Sequence, residues 1–157
     1  MGHRGETTDF DRMVESLQRQ VTKQERAFYS ARVIEHAHNP RNLGRMAGPD
    51  ACAVVRGWCG DTMEVYLRLD GERIKKVTFM TDGCGSSVAC GNMLTTMVQG
   101  MSLEEAGRIR PEDLVAALDG LPEESLHCAD LAVSTLREAI ANRHGNNRTR
   151  NEELGGG

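Results

Sequence analysis

Three cysteines stand in local settings whose side chains suit metal chemistry. Cys59 begins a Cys-Gly-Asp triplet that ends at Asp61, Cys84 lies between two glycines, and Cys128 directly follows His127. Thiolate sulfur anchors thiophilic ions and iron–sulfur clusters, and a carboxylate or an imidazole completes the ligand shell with a harder atom. Together these five side chains are a candidate metal site.

The order and spacing of these motifs are similar to those of a known family, and the similarity extends from about residue 29 to about residue 141. It is carried by five ordered segments: residues 29–36 (Tyr-Ser-Ala-Arg-Val-Ile-Glu-His), 39–44 (Asn-Pro-Arg-Asn-Leu-Gly), 57–61, 79–89 and 126–132. The chain resembles the IscU/NifU-type iron–sulfur cluster scaffolds, the N-terminal type of NifU included.

That resemblance implies a scaffold on which a [2Fe-2S] cluster is built from iron and sulfur and then passed to apo iron–sulfur proteins. A cysteine desulfurase would deliver persulfide sulfur to Cys128, and a ferredoxin-type donor would supply electrons. The family also allows a homodimer. A scaffold has no turnover of its own, so we expect no enzymatic activity. The implied cluster ligands are Cys59, Asp61, Cys84, His127 and Cys128, with Asp61 or His127 as the weaker fourth ligand.

Two other functions stay open on the sequence. One is a zinc-containing sulfur acceptor that stimulates a cysteine desulfurase, and an empty thiol site readily takes up zinc during purification. A thiol oxidoreductase ranks third, because no Cys-x-x-Cys pair is present. Within the family, His127 and the lack of a long insertion between Cys84 and Cys128 favour the IscU type over the zinc-binding SufU type.

One segment departs from the family pattern. Many members carry Leu-Pro-Pro-Val-Lys before the Leu-His-Cys motif, and a dedicated Hsp70 chaperone reads it. Here residues 121–125 are Leu-Pro-Glu-Glu-Ser. Two acids replace hydrophobic and basic residues, which argues against recognition by such a chaperone.

The thiols are expected to differ in reactivity. Cys84 precedes a predicted helix and Cys128 lies in the first turns of another, where backbone N–H groups and the helix dipole favour thiolate. We expect Cys84 to be shielded behind a strand end and Cys128 to be the sulfur-accepting nucleophile. The other candidates are expected to have no metal role: Cys52 and Cys90 pack in a strand and a helix, and His36 and His38 lie at the surface or form local hydrogen bonds.

The composition of the chain limits the classes of partner and the cellular compartment that we expect. The formal net charge of -4 provides no basic footprint for nucleic acid, and no apolar run is long enough to cross a bilayer, so neither nucleic acid nor membrane is expected as a partner. The five cysteines are widely spaced and odd in number, which argues against a disulfide framework and for reduced thiols. The N-terminal residues lack an apolar signal core, and the cytoplasm is the expected location.

Hydrophobic periodicity predicts an α+β fold with a small three-stranded antiparallel sheet packed against several helices. Strands are expected at residues 51–56, 63–69 and 74–80, with a hairpin turn at Asp70-Gly71, and the longer helices at about 86–100 and from soon after Pro122 to about His144. We divide the chain into an N-terminal amphipathic helical extension (1–26), an IscU-like scaffold domain (27–144) and a disordered polar tail (145–157). The extension either packs on its own domain or docks a partner.

Overall fold

The computed structural model describes residues 8–143, without the side chains of residue 18 and residues 20–27. Three antiparallel strands pack against helices, which confirms the predicted α+β fold. The strands are β1 (Ala51–Arg56), β2 (Thr62–Asp70) and β3 (Arg73–Thr81). The helices are α1 (Asp9–Phe28), α2 (Ala31–His38), α3 (Gly85–Val98), α4 (Leu103–Gly107), α5 (Pro111–Ala117) and α6 (Leu126–Ala141), with a 3-10 turn at Glu123–Ser125 before α6. The predicted tail and the predicted helix end at His144 lie outside the described residues.

The sheet has the order β1-β2-β3, with β2 paired to both neighbours. Alternate residues of β2 are buried, as period-two patterning predicts. The β2–β3 turn lies one residue later than expected, because Asp70 pairs with Arg73 and leaves Gly71 and Glu72 at its tip. Gly71 has a φ of +60°, in the left-handed region that glycine adopts without strain.

Helices α3 and α6 cover the inner face of the sheet. Their side chains Leu94 and Leu136 are almost fully buried, together with Phe79 of β3. Helix α3 comes so close to the sheet that a Cβ atom built on Gly91 would lie 2.4 Å from the Phe79 ring. Gly91 is therefore a packing requirement of this layer, since overlapping atoms force the helix and the sheet apart.

The loop after α2 runs along the edge of β3 and ties it to α3. The Phe79 N–H donates to the Asn42 carbonyl at 3.0 Å, and the Phe79 carbonyl accepts from the Gly44 N–H at 2.8 Å. The Asn92 side-chain oxygen accepts from the Asn42 N–H at 3.0 Å, and its nitrogen lies 2.8 Å from His36 Nδ1. The expectation for His36 is wrong, because it reaches a different helix and not a local partner.

Helix α1 confirms the amphipathic helix predicted from residues 10–21. Thr8 caps it, since the Thr8 hydroxyl accepts a hydrogen bond from the Asp11 N–H at 3.0 Å. The apolar side chains Phe10, Met13 and Leu17 are 67%, 53% and 53% exposed, so they do not pack on the domain. Among residues 8–143, no helix combines the length and the apolar character needed to cross a bilayer.

Candidate metal centre

Three chain segments converge at one end of the sheet to form the site. The first is the loop between β1 and β2, which is closed by hydrogen bonds from the Gly57 N–H to the Asp61 carbonyl at 2.7 Å and from the Gly60 N–H to the Gly57 carbonyl at 3.0 Å. Gly60 has a φ of +97°, so glycine relieves backbone strain at this turn. The second segment is the junction of β3 and α3 with Cys84, and the third is the start of α6.

Cys59, Asp61 and His127 offer ligand atoms that all lie within 4.8 Å of one another. Cys59 is exposed, whereas Asp61 and His127 are half-buried. Sulfur, oxygen and nitrogen at these separations can surround a single metal ion after small side-chain rotations, and this mixed donor set suits iron or zinc. These three residues are the part of the predicted ligand set that is already gathered around one point.

Cys84 and Cys128 adjoin this group through Ser87. The Ser87 hydroxyl donates to the Cys128 sulfur at 3.4 Å and lies 4.0 Å from the Cys84 sulfur. The Cys128 sulfur is also 3.6 Å from His127 Nε2. The structure therefore brings all five predicted side chains to one end of the sheet, with Ser87 between two of the thiols.

Gly83 explains how these groups fit beside one another. A Cβ atom on Gly83 would lie 2.4 Å from the Ser87 hydroxyl oxygen and 3.0 Å from Asp61 Oδ2. Any side chain at this position would displace either the serine or the carboxylate. The glycine before Cys84 is thus required by the packing of the site.

The two helix-start thiols differ in acidity. Burial by itself would raise the pKa of Cys84, but hydrogen bonds from the backbone N–H groups of Ser87 and Ser86 outweigh burial and lower that pKa below its ordinary value. Burial raises the pKa of Cys128 to about 11, against the smaller opposing effect of the Ser87 hydrogen bond. The expectation that the helix start favours the thiolate form is therefore confirmed for Cys84 and wrong for Cys128.

The more acidic of these two thiols is also the more exposed. Cys84 is exposed and Cys128 is 1% exposed, so the expectation that a strand end shields Cys84 more than Cys128 is wrong. The reason is that α6 packs its first turn directly against α3. Cys84 instead lies on the wall of a small cavity of about 190 Å³ that α2 lines with apolar side chains such as Val33 and Ile34.

The remaining cysteines lie apart from the site. Cys90 is fully buried in the hydrophobic core, and desolvation raises its pKa far above the ordinary value. Cys52 is half-buried in β1. The prediction that Cys90 is a packing residue is confirmed, and neither cysteine belongs to the gathered group of ligand atoms.

Sequence reasoning missed two residues of the site. Ser87 follows Cys84 by one helical turn, and that spacing was the available signal that it faces the same point. Trp58 precedes Cys59 and is the only tryptophan of the chain. Its ring is 87% exposed and contacts the His127 imidazole edge to face, with 5.5 Å between the ring centroids.

The small α+β fold with thiol, carboxylate and imidazole groups at one end of the sheet defines a candidate metal-binding protein. Residues 28–150 match the family described as NifU-like N terminal domain. This match covers most of the chain, and the chain belongs to that family.

Named relatives agree with this assignment. The chain is 39% identical over 113 residues to the iron-sulfur cluster assembly scaffold protein IscU 1 of Archaeoglobus fulgidus, which covers 71% of this chain and 74% of the relative. It is 37% identical over 118 residues to the iron-sulfur cluster assembly scaffold protein IscU of Escherichia coli, which covers 72% and 91%.

Solved structures show the same fold. The N-terminal part of a nitrogen-fixing NifU-like protein from Brucella abortus superposes with a TM-score of 0.57 at 22% identity. The superposition covers 71% of this chain and 90% of that structure. At this identity the likeness supports the fold.

Proposed function

We propose that this protein is a scaffold on which an iron–sulfur cluster of the [2Fe-2S] type is assembled and from which it passes to apo-proteins. The observation that carries the proposal is the gathering of Cys59, Asp61 and His127 within 4.8 Å, beside Cys84 and Cys128. The relatives named as cluster assembly scaffolds point the same way.

The ligand set suits a cluster that is bound temporarily and then transferred. Three thiolates would hold the cluster firmly, and the fourth position would fall to Asp61 or His127, which bind iron less strongly than a thiolate. Cys59 and Cys84 are exposed, so a recipient can approach them. We assign the cluster to Cys59, Cys84 and Cys128 with either Asp61 or His127.

Sulfur would arrive as the persulfide of a cysteine desulfurase. In the transfer, an acceptor thiolate attacks the outer sulfur of the enzyme persulfide, its new S–S bond forms as the enzyme S–S bond breaks, and the enzyme cysteine leaves as a thiolate. We assign Cys128 as the thiol that accepts this sulfur. Because Cys128 is buried and its pKa is raised, transfer to it requires that its sulfur first leaves the contact with Ser87.

Other partners follow from the same chemistry. Combining sulfane sulfur with iron into a [2Fe-2S] cluster needs electrons, for which a ferredoxin-type donor is suited. The protein itself would bind the cluster and release it, without catalytic turnover.

All five cysteines are free thiols, which suits a reducing compartment such as the cytoplasm. The relatives' names do not favour a zinc-containing sulfur acceptor, although zinc would bind the same donors during purification.

Anaerobic reconstitution tests the proposal. The chain would be incubated with a cysteine desulfurase, cysteine, a reductant and ferrous iron, and then analysed by visible absorption and by its iron and sulfide content. We expect a coloured protein, and loss of the colour in Cys59→Ala, Cys84→Ala and Cys128→Ala but not in the matched controls Cys52→Ala and Cys90→Ala. Stimulated desulfurase turnover with bound zinc and no colour would support the alternative instead.

A further inference from the structure

A groove lined by basic side chains lies along the edge of β3, next to the loop after α2. It has a volume of about 570 Å³ and runs between the loop after α2 and the strands β2 and β3. We call it the basic groove and define it by its five cations, Arg41, Arg45, Arg68, Lys75 and Lys76. The chain as a whole is acidic, with a formal net charge of -4, so this concentration of positive charge is local.

A strand irregularity places the two lysines side by side in the groove. The pairing of β2 with β3 shifts between Arg68 and Leu69, so Arg68 pairs with Lys76 and Leu69 pairs with Ile74. Lys75 is left without a partner in the register. Both lysines are consequently exposed, where a regular strand would turn alternate residues inward.

Most of this positive charge is not neutralised within the chain. Glu64 is the acid beside the groove, and Arg45 binds both of its carboxylate oxygens at 3.0 Å. Arg41, Lys75 and Lys76 form no ion pair with any residue in the described range 8–143. Three adjacent cations therefore face solvent and are open to an external anion.

The wall of the groove also contains an unsatisfied polar atom. The Thr78 hydroxyl oxygen is buried and has no hydrogen-bond partner among the described residues. A buried hydroxyl usually has a partner in the folded state. A carboxylate lying in the groove could accept its hydrogen bond after a rotation of the threonine side chain.

From these observations we infer that the basic groove docks an acidic segment of a partner protein, one that carries several carboxylates in succession. Arginine and lysine recognise carboxylates by charge-assisted hydrogen bonds, and a patch of one sign accelerates encounter with its complement. Nucleic acid is disfavoured as the occupant, since its evenly charged backbone needs a longer basic stripe and the rest of this chain is acidic.

The position of the groove leaves the metal centre accessible. Lys76 and Thr81 are separated along β3 by on the order of 16 Å, at about 3.3 Å per residue. The thiols lie beyond Thr81, at the other end of the strand. A partner held at the groove would thus be tethered beside the metal centre without covering it, and this inference does not depend on what the metal centre binds.

Binding of a fluorescein-labelled oligoglutamate peptide to the full chain, measured by fluorescence anisotropy, tests the inference. We expect binding that weakens as salt rises. The double variant Lys75→Glu/Lys76→Glu should lose about tenfold or more in affinity. The matched control is Arg12→Glu/Arg56→Glu, which makes the same charge change at two exposed positions outside the groove and should keep the affinity of the unaltered chain.

Amide chemical shifts measured during the titration locate the peptide, with changes expected at residues 41–45 and 75–78. Circular dichroism of each variant verifies that it is folded, and Arg41→Gln provides a milder substitution that should weaken binding in the same direction. The inference is overturned by an absence of peptide binding or by equal losses in the two double variants. Equal competition by inorganic phosphate, or tighter binding of a labelled oligonucleotide at the same residues, would also overturn it.

Discussion

Cys84 and Cys128 show at the residue scale how burial can outweigh a helix terminus. Both follow the pattern that lowers a thiol pKa, since each lies at the beginning of a helix. Cys84 stays exposed and benefits from the backbone N–H groups of Ser86 and Ser87. Cys128 is enclosed between α3 and α6, and desolvation of its charged form dominates.

Alkylation of the metal-free protein with iodoacetamide should reproduce this difference. We expect modification first at the exposed thiols Cys59 and Cys84, and slowest at Cys128 and Cys90, because access and thiolate fraction both limit the reaction. Peptide mass spectrometry over a time course measures the order. Equal rates at Cys84 and Cys128 would show that the start of α6 opens readily in solution.

Trp58 is expected to hold the His127 imidazole in place for metal binding. An edge-to-face aromatic pair contributes about 0.5–1.5 kcal/mol, so Trp58→Ala should weaken binding of Co²⁺ by roughly two- to tenfold. Absorption of the bound Co²⁺ measures the affinity, and Trp58→Phe, which keeps an aromatic ring, should restore most of it.

A double-mutant cycle separates this effect from a general loss of structure. In a His127→Ala background, Trp58→Ala should cost nothing further, because the contact is already gone. If both substitutions weaken Co²⁺ binding independently, Trp58 acts on the site by another route.

At the scale of elements, the site depends on close packing of α3 against β3. Gly91 allows the helix to approach Phe79. Asn92, the next residue, ties the helix to α2 through His36 and to the loop after α2 through Asn42. The same helix carries Cys84 and Ser87 at its start. Helix α3 therefore fixes one side of the candidate metal centre relative to the sheet.

Gly91→Ala is expected to destabilise the protein. The new methyl group would overlap Phe79, which is fully buried and cannot move aside, and overpacking of this kind costs about 1–3 kcal/mol. Urea denaturation measures the change. Gly107→Ala is the matched control, since a Cβ there meets no atom within 4 Å and stability should stay the same or rise slightly. Similar losses in both variants would contradict the packing argument.

The His36–Asn92 contact should make stability depend on pH. The Asn92 oxygen accepts from Asn42, so its nitrogen faces His36 Nδ1 and requires a neutral imidazole as acceptor. Burial lowers the pKa of His36 below 6.5, and the folded state resists protonation. This contribution is complete above the unfolded-state pKa of about 6.5 and is lost as pH falls from there through the lowered folded-state pKa.

Denaturation measured across this pH range tests whether stability falls as the pH is lowered. The chain should lose more stability between neutral and mildly acidic pH than His36→Gln, whose side chain can accept the same hydrogen bond at every pH. His38→Gln serves as the control and should retain the dependence. A steeper loss in His36→Gln than in the unaltered chain would reverse the assignment.

At the scale of the whole molecule, α1 stands apart from the packed layers. Its side chains Phe10, Met13 and Leu17 are more than half exposed, whereas the core lies between the sheet and the helices α3 and α6. The proposed boundary near residue 26 lies inside α1, close to its last residue Phe28, and α2 begins at Ala31. The domain from residue 27 onward is expected to fold without the extension.

Removal of residues 1–26 tests that boundary. The thermal midpoint should stay within about 2 °C of the full chain, because the described apolar side chains Phe10, Met13 and Leu17 are more than half exposed. The yield of reconstituted cluster should be unchanged as well. A large fall in the midpoint would mean that α1 packs on the domain in solution.

Local patterns in the sequence determined the strands, the amphipathic α1 and the candidate ligands, because alternation, capping and motif spacing act over a few residues. Cys59, Asp61 and His127 were predicted with Cys84 and Cys128 from the motifs together with the family resemblance, and the structure brings the ligand atoms of these three within 4.8 Å of one another. The turn after β2 differed by one residue, since the pairing of whole strands sets its position.

Only the tertiary structure decided which thiol is buried, that Ser87 lies between two sulfurs, that His36 reaches Asn92 and that the basic groove exists. Each of these depends on contacts between elements far apart in the chain. The free energy that sets them comes from desolvation and from the fit of the packed core. A residue's neighbours in sequence carry little information about either quantity.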